Sequence, residues 1–244
     1  MRDRFFVAGV HAVGDRVTFA PDDEHKLTVV LRKRSGDRVQ VVDSGGAAYA
    51  ATLAVDGRTV RATLDAPLAR DGVEPALRVT LAQAVPKGQK MDLVVEKATE
   101  LGVHAIVPVR SARVIGDETS RAKVERWRRI ARSAAQQSGR VRVPEVADVH
   151  DWEALLATFP AYARVYLPWE LADPVPLRTA FEGELTDARD VLVVIGPEGG
   201  FAADEVARAE AAGARTISLG RRILRTETAG LVVLAAALYA VGEL

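Results

Sequence analysis

The chain of 244 residues contains no cysteine. That excludes disulfides, thiolate nucleophiles and Cys-ligated zinc. Histidine is scarce, and His11, His25, His104 and His150 are too scattered for metal-ligand spacing, so no metal is expected. Asparagine is absent, and aromatic residues make up only 5%. The opening Met1-Arg2-Asp3-Arg4-Phe5-Phe6 has no apolar signal-peptide core, which together with the missing cysteines predicts a cytoplasmic protein. The longest apolar stretch, Ala229 to Val241, falls short of the ~20 residues a membrane span needs and is expected to be a buried helix. Neither charge sign is in excess, with 33 Lys and Arg against 33 Asp and Glu. Neither GxGxxG nor GxxxxGK[ST] occurs, so Rossmann-type dinucleotide binding and P-loop phosphate binding lose their main support.

What remains is an ordinary globular composition, 48% hydrophobic and 27% charged, in a chain long enough to bury a full core. Residues 1–72 form a β-rich unit in the pattern. Short β-like runs at Arg4–Ala8, Arg16–Ala20, Arg38–Asp43, Ala47–Val55 and Thr59–Leu64 are separated by turns such as Ser44-Gly45-Gly46, with a short helix at Glu24–Arg34. Such a set suggests a small barrel. Ala69 to Pro75 has the composition of a linker. From residue 73 to 244 strand-like and helical segments alternate: strands at Leu77–Val85, Ala105–Val109, Ala163–Leu167, Val191–Ile195 and Thr216–Leu219, helices at Lys90–Leu101, Ser120–Ser138, Trp152–Phe159, Val175–Glu182, Ala203–Ala212 and Thr228–Val241. This rhythm predicts an α/β fold with a mostly parallel sheet covered on both faces.

Two stretches concentrate the chemistry. Val193 to Phe201 contains Gly196-Pro197-Glu198-Gly199-Gly200, and Leu219 to Ala229 contains Leu219-Gly220-Arg221-Arg222-Ile223-Leu224-Arg225-Thr226-Glu227-Thr228. Each runs from a strand end into a helix start, the edge where open α/β sheets bind ligands. Gly199-Gly200 permits a tight or left-handed turn and close backbone approach. Glu198 is either a carboxylate facing a ligand or an acceptor that caps its own turn. Thr226 is placed to N-cap the last helix, yet Arg221, Arg222 and Arg225 oppose the helix dipole there and suit an anion. Between Arg110 and Arg142 the chain carries an excess of seven positive charges. That is the footprint of phosphate binding or a solvated basic face.

The motifs Lys87-Gly88-x-Lys90-Met91, Glu96-Lys97-x-Thr99-Glu100-Leu101-Gly102-Val103, Gln137-Ser138-x-Arg140, and the two loops above occur in that order. Over essentially its full length the chain resembles the RsmE family of ribosomal RNA uridine-N3 methyltransferases, with Arg4-Phe5-Phe6 and Leu31-Arg32 fitting the family's small domain. The resemblance implies a SPOUT-type knotted parallel sheet with a trefoil knot, an N-terminal PUA-like β-barrel, S-adenosyl-L-methionine as cofactor, a homodimer, and a uridine of the small-subunit (16S) ribosomal RNA as target. Carried onto this sequence, the cofactor contacts fall at Leu167, Pro168 and Trp169, at Gly196, Pro197, Glu198, Gly199 and Gly200, and at Leu219, Gly220, Ile223, Leu224, Arg225 and Thr226.

RNA contacts are expected at Arg4 and Arg32, at Lys87 and Lys90, and along the basic stretch at Arg113, Arg132, Gln137 and Arg140. For the chemistry, Arg222 or Arg225 would stabilise a uracil anion, and Glu227 would act as base or orient the loop. One departure from the family is Ala202, which stands where a Ser or Thr often completes a capping box with Glu205. The rivals are a methylase acting on another RNA position and a non-catalytic assembly factor. A ribose 2′-hydroxyl methylase using asparagine is disfavoured by a chain without any.

Overall fold

The computed structural model describes residues 3–69, 73–111, 120–170 and 175–244. Their contacts divide into two compact units, Met1–Glu74 with Ala135–Arg142, and Pro75–Ala134 with Val143–Leu244.

The first unit holds strands β1 (Arg4–Phe6), β2 (Arg16–Thr18), β3 (Arg38–Val42), β4 (Ala48–Asp56) and β5 (Thr59–Leu68), with helix α1 (Pro21–His25) between β2 and β3. They form a curled five-stranded sheet in the order β1-β3-β4-β5-β2, with β1 and β2 at its edges. The pairing of β4 with β5 shifts register at Ala50/Ala51, where an irregularity of this kind bends a strand. Alternation supplies the core: Val39 and Val41, Ala51 and Leu53, and Val60, Ala62 and Leu64 turn inward onto Phe5, Phe19 and Leu27. Helix α1 starts earlier than the pattern suggests. Pro21 fits the first helical turn, and Asp22, Asp23 and Glu24 suit its dipole. It continues as a π-helical stretch over Lys26–Val30, after which Arg32 has a φ of +52°.

Residues 135–142 are the part that a contiguous division of the chain leaves out. Gln136 donates from Nε2 to Asp23 Oδ1 at 2.8 Å and accepts from Lys26 Nζ at 2.9 Å. Arg4 donates to Gln40 Oε1 and to the Gly139 carbonyl. Glu74 accepts from the buried Arg140 guanidinium at 2.6 Å and from the amides of Val141 and Arg142 at 3.0 and 3.1 Å.

The second unit holds β6 (Arg78–Ala84), α2 (Lys90–Glu100), β7 (Ala105–Arg110), most of α3 (Arg121–Ser138), β8 (Glu145–Val146), β9 (His150–Asp151), α4 (Trp152–Leu156), β10 (Arg164–Pro168), β11 (Val175–Pro176), α5 (Leu177–Phe181), β12 (Asp190–Ile195), α6 (Ala203–Ala211), β13 (Arg215–Ser218) and α7 (Thr226–Ala240). The strands pair in the order β11-β13-β10-β12-β6-β7-β8, with β9 also on β7, and every pair is parallel. A parallel sheet must be covered on both faces. Along β12, Val191, Val193 and Ile195 pack toward α2 and α7 against Met91, Val94, Val233 and Leu234, while Leu192 and Val194 pack toward Trp152, Leu155, Val206 and Ala209. Each Val, Leu, Ile or Met side chain so buried contributes about 1.5–3 kcal/mol relative to exposure. Among the described residues no helix is long and apolar enough to cross a membrane.

Candidate functional site

The C-terminal ends of β10, β12 and β13 converge on one cavity of about 750 Å³ in the second unit. Its walls come from Pro168 to Glu170, from Ile195 to Phe201, and from Ser218 to Thr226, with Lys90 and Ala229 completing it. A volume of this size is typical of a small-molecule or cofactor site. Both loops singled out in the sequence line it, including Gly196, Pro197, Glu198 and Gly200 on one side and Leu219, Gly220, Arg222, Ile223, Leu224, Arg225 and Thr226 on the other. Pro168 and Trp169 line it as well.

Leu167 does not. It is fully buried in the core beneath the sheet because the alternation along β10 turns it toward Leu192 and Val194. Gly199 is also absent from the walls.

The loop after β12 is held by specific bonds. Gly200, at φ +68°, donates its amide to the Pro197 carbonyl at 2.9 Å, which is the left-handed turn that the glycine pair allows. Glu198 Oε1 accepts from the Lys87 amide at 3.1 Å and from Lys90 Nζ at 3.0 Å. Its partners therefore come from the β6–α2 connection rather than from its own turn alone. Burial pushes the Glu198 carboxyl up, but its own backbone N–H, Lys90 and the Lys87 amide together outweigh that and hold it below the usual value. The next helix keeps half a capping box. Glu205 reaches back to the Ala202 amide at 2.9 Å, while the Ala202 side chain returns nothing to the first turn.

Thr226 behaves differently from the expected cap. The N-cap of α7 is Arg225, with no side-chain cap, and Thr226 is the first helical residue. Its hydroxyl donates across the site to the Gly196 carbonyl at 2.6 Å and accepts from Gln83 Nε2 at 2.8 Å. Gln83 is fully buried, and its amide also donates to the Ala84 carbonyl at 3.1 Å, which fixes which way the carboxamide points. A Cβ on Gly230 would come within 3.2 Å of Gln83 Oε1 and 3.1 Å of Leu81, so α7 approaches β6 closely only because that position is glycine. Gln83 was not among the sequence candidates. Its signal was a lone carboxamide within the apolar run Leu81 to Val85.

Charged groups cluster around Lys90 at the cavity wall. Lys90 Nζ lies 3.0 Å from Glu198 and 3.5 Å from Glu227, and Arg225 lies 4.0 Å from Glu227. The Glu227 side chain is 12% exposed, and its Oε2 has no hydrogen-bond partner. Trp169 Nε1 is likewise buried and unpartnered. The hydrogen bond that Lys90 donates to Glu198, followed by the weaker attraction of Glu227, raises Lys90 above the usual lysine value despite partial desolvation. Among the described residues no group of His, Asp and Glu is placed to hold a metal ion.

The expected RNA contacts divide. Arg32, Lys87 and Gln137 are exposed, and Arg132 is half-buried. Arg4 is occupied by Gln40 and Gly139, and burial lowers its proton affinity. Arg140, buried against Glu74, is not available as a phosphate contact; it is an internal anchor. The basic stretch loses further charge to internal pairs, with Arg126 on Asp92 and Arg128 on Glu125 and Asp148. Arg113 lies outside the described residues.

Residues 73–238 match the RNA methyltransferase domain family. The chain is 33% identical over 224 residues to the ribosomal RNA small subunit methyltransferase E of Bacillus subtilis, covering 89% of this chain and 88% of that protein. To the protein of the same name from Mycobacterium tuberculosis it is 33% identical over 244 residues, covering 95% and 89%. The crystal structure of a ribosomal RNA small subunit methyltransferase E from Neisseria gonorrhoeae bound to S-adenosyl methionine is 31% identical, with a TM-score of 0.84 over 98% of both chains.

Proposed function

Because this chain belongs to the ribosomal RNA small subunit methyltransferase E family, we propose that it methylates N3 of a uridine in small-subunit (16S) ribosomal RNA with S-adenosylmethionine as donor. The carrying observation is one cavity in which both C-terminal loops meet Lys90, Arg222 and Arg225, with Glu227 3.5 Å from that lysine.

Its lining fits the cofactor. Ile195, Leu219, Leu224 and Ala229 offer an apolar slot for a purine, and the backbone of Gly196, Gly200 and Gly220 offers main-chain polar groups. The carboxylates of Glu170 and Glu198 suit a ligand's cationic centres, and the unpartnered Trp169 Nε1 offers a donor.

When bound, the cofactor supplies an electrophilic methyl on a sulfonium. The residues must then prepare the nucleophile. Uridine N3 carries a proton, and removing it at pH 7 costs about 3 kcal/mol, roughly two units of pKa. Arg222 and Arg225, both exposed at the cavity, face the uracil oxygens where negative charge develops. Glu227 takes the proton; its carboxylate is 12% exposed and stands 3.5 Å from Lys90 and 4.0 Å from Arg225. The Gln83–Thr226–Gly196 chain keeps the two loops at fixed separation, so that positioning contributes to the rate.

The finer architecture follows the same reading. The strand β13 follows β12 in the chain yet lies beyond β10, and the segment after it returns along the cavity to α7, which supports a trefoil knot of the SPOUT type. The curled sheet of the first unit supports a PUA-like RNA-binding barrel. Val232 and Tyr239 on α7 leave an apolar face that suits a second copy, hence a homodimer. A cytoplasmic site of action follows from an RNA substrate and a cysteine-free chain.

Incubating the protein with labelled cofactor and unmodified ribosomal subunits, then mapping the product by mass spectrometry, tests the reading. The expected product is one N3-methyluridine in the small subunit. Methylation elsewhere, or no transfer, overturns it.

A further inference from the structure

We propose that Lys90 is a catalytic residue of this methyltransferase, its ammonium donating a hydrogen bond to a uracil carbonyl oxygen as N3 loses its proton. The proposal rests on the uridine-N3 reading above.

The geometry sets Lys90 apart from an ordinary surface lysine. It is the first residue of α2, where a cation opposes the helix dipole. Two carboxylates offset that cost, Glu198 at 3.0 Å and Glu227 at 3.5 Å. An ammonium has three N–H groups. One is committed to Glu198, Glu227 holds the charge at ion-pair distance, and the side chain, 35% exposed, lines the cavity. A lysine already shared by two carboxylates is poorly suited to a phosphate, which both would repel. It is well suited to a charge that appears only during reaction.

The longer of the two contacts, to Glu227, is the one that the reaction would change. The N3–H bond breaks with its electron pair left on N3, and the proton passes to Glu227. That pair forms the bond to the methyl carbon, while the carbon–sulfur pair leaves on sulfur. Lys90 keeps its three protons throughout; the carboxylates beside it favour the charged form. As Glu227 becomes neutral its hold on Lys90 disappears, at the moment when the uracil anion needs a counter-ion. Glu198 keeps the ammonium in place during the exchange.

The test compares wild type, Lys90→Met and Lys90→Arg on ribosomal subunits carrying uridine or 5-fluorouridine at the target. The fluorinated base has a more acidic N3–H and needs less stabilisation. For Lys90→Met, cofactor affinity by calorimetry should be unchanged, and kcat on uridine should fall about 100-fold, the usual loss of one charge-stabilising donor. On 5-fluorouridine that penalty should shrink by roughly threefold or more. Lys90→Arg should recover part of the rate. An equal penalty on both bases, a defect confined to the KM for RNA, or a loss of cofactor affinity would each overturn the proposal. Should Lys90→Met fail to fold by circular dichroism, Lys90→Gln repeats the comparison. Failure of wild type to methylate uridine N3 would instead sink the underlying functional reading, a separate result.

Discussion

Arg140 and Arg225 both lie in arginine-rich segments at a helix end, and the fold uses them in opposite ways. Arg140 is 3% exposed and forked onto Glu74, 66 residues earlier in the chain. Arg225 is 81% exposed, and its nearest carboxylate, Glu227, stands 4.0 Å away. Whether an arginine is available to a ligand depends on whether a carboxylate from a distant element reaches it. Local charge density does not carry that information. The excess of seven positive charges over 110–142 overstates the phosphate-binding face, because Arg126, Arg128 and Arg140 are neutralised internally.

Breaking the buried pair should give the largest effect. Arg140→Met leaves Glu74 without its cation and loosens the amides of Val141 and Arg142 that the same carboxylate holds. The expected loss is about 3–5 kcal/mol in urea denaturation. A loss under about 1 kcal/mol would place the pair among ordinary surface ion pairs and erase the contrast. The exposed arginines should show the reverse pattern. Arg222→Ala and Arg225→Ala should keep stability within about 0.5 kcal/mol. They should nevertheless lower kcat/KM on ribosomal subunits by about 100-fold. Measuring both quantities on both sets of variants decides whether burial separates structural from functional arginines here.

The same distinction governs what was legible in the sequence. The parallel sheet was, because β6, β7, β10, β12 and β13 are apolar runs punctuated by helical periodicity and glycine. The two cavity loops were as well, since Gly196 to Gly200 and Leu219 to Thr226 join strand ends to helix starts. What escaped were side chains whose role is set by a partner far along the chain. Gln83, which meets Thr226 across 143 residues, was missed; Lys90 was expected on RNA, and its pairing with Glu198 across 108 residues was not read. Leu167 shows the complementary error. It sits beside two cavity residues in sequence, and strand alternation puts it in the core. Ile223, named in the sequence as a cofactor contact, lines the cavity at 91% exposure.

Thr226 ties the same loops together without any charge. Thr226→Val keeps the shape but deletes the hydroxyl, so the Gly196 carbonyl and the Gln83 amide lose their shared partner inside the protein. Cofactor affinity measured by calorimetry should weaken about tenfold, the cost of roughly one unmade buried hydrogen bond. Thr226→Ser, which restores the hydroxyl, should return most of it. Equal weakening in both variants would mean that the β-branched shape, rather than the hydrogen bond, holds the loops.

The smallest effect is the finest test, because it sets neighbouring arginines on one helix against each other. Arg128 is tied to Glu125, Asp148 and the Val146 carbonyl. Arg129, next to it on α3, is exposed and has no carboxylate partner among the described residues. If unpaired arginines are the ones that meet phosphate, Arg129→Ala should reduce the slope of log K against log salt for RNA binding by about one. Arg128→Ala should leave that slope unchanged and cost at most about 1 kcal/mol of stability. Equal slopes for the two variants would show that internal pairing does not remove an arginine from the RNA face. The division between anchored and available cations would then hold only for buried pairs such as Arg140 with Glu74.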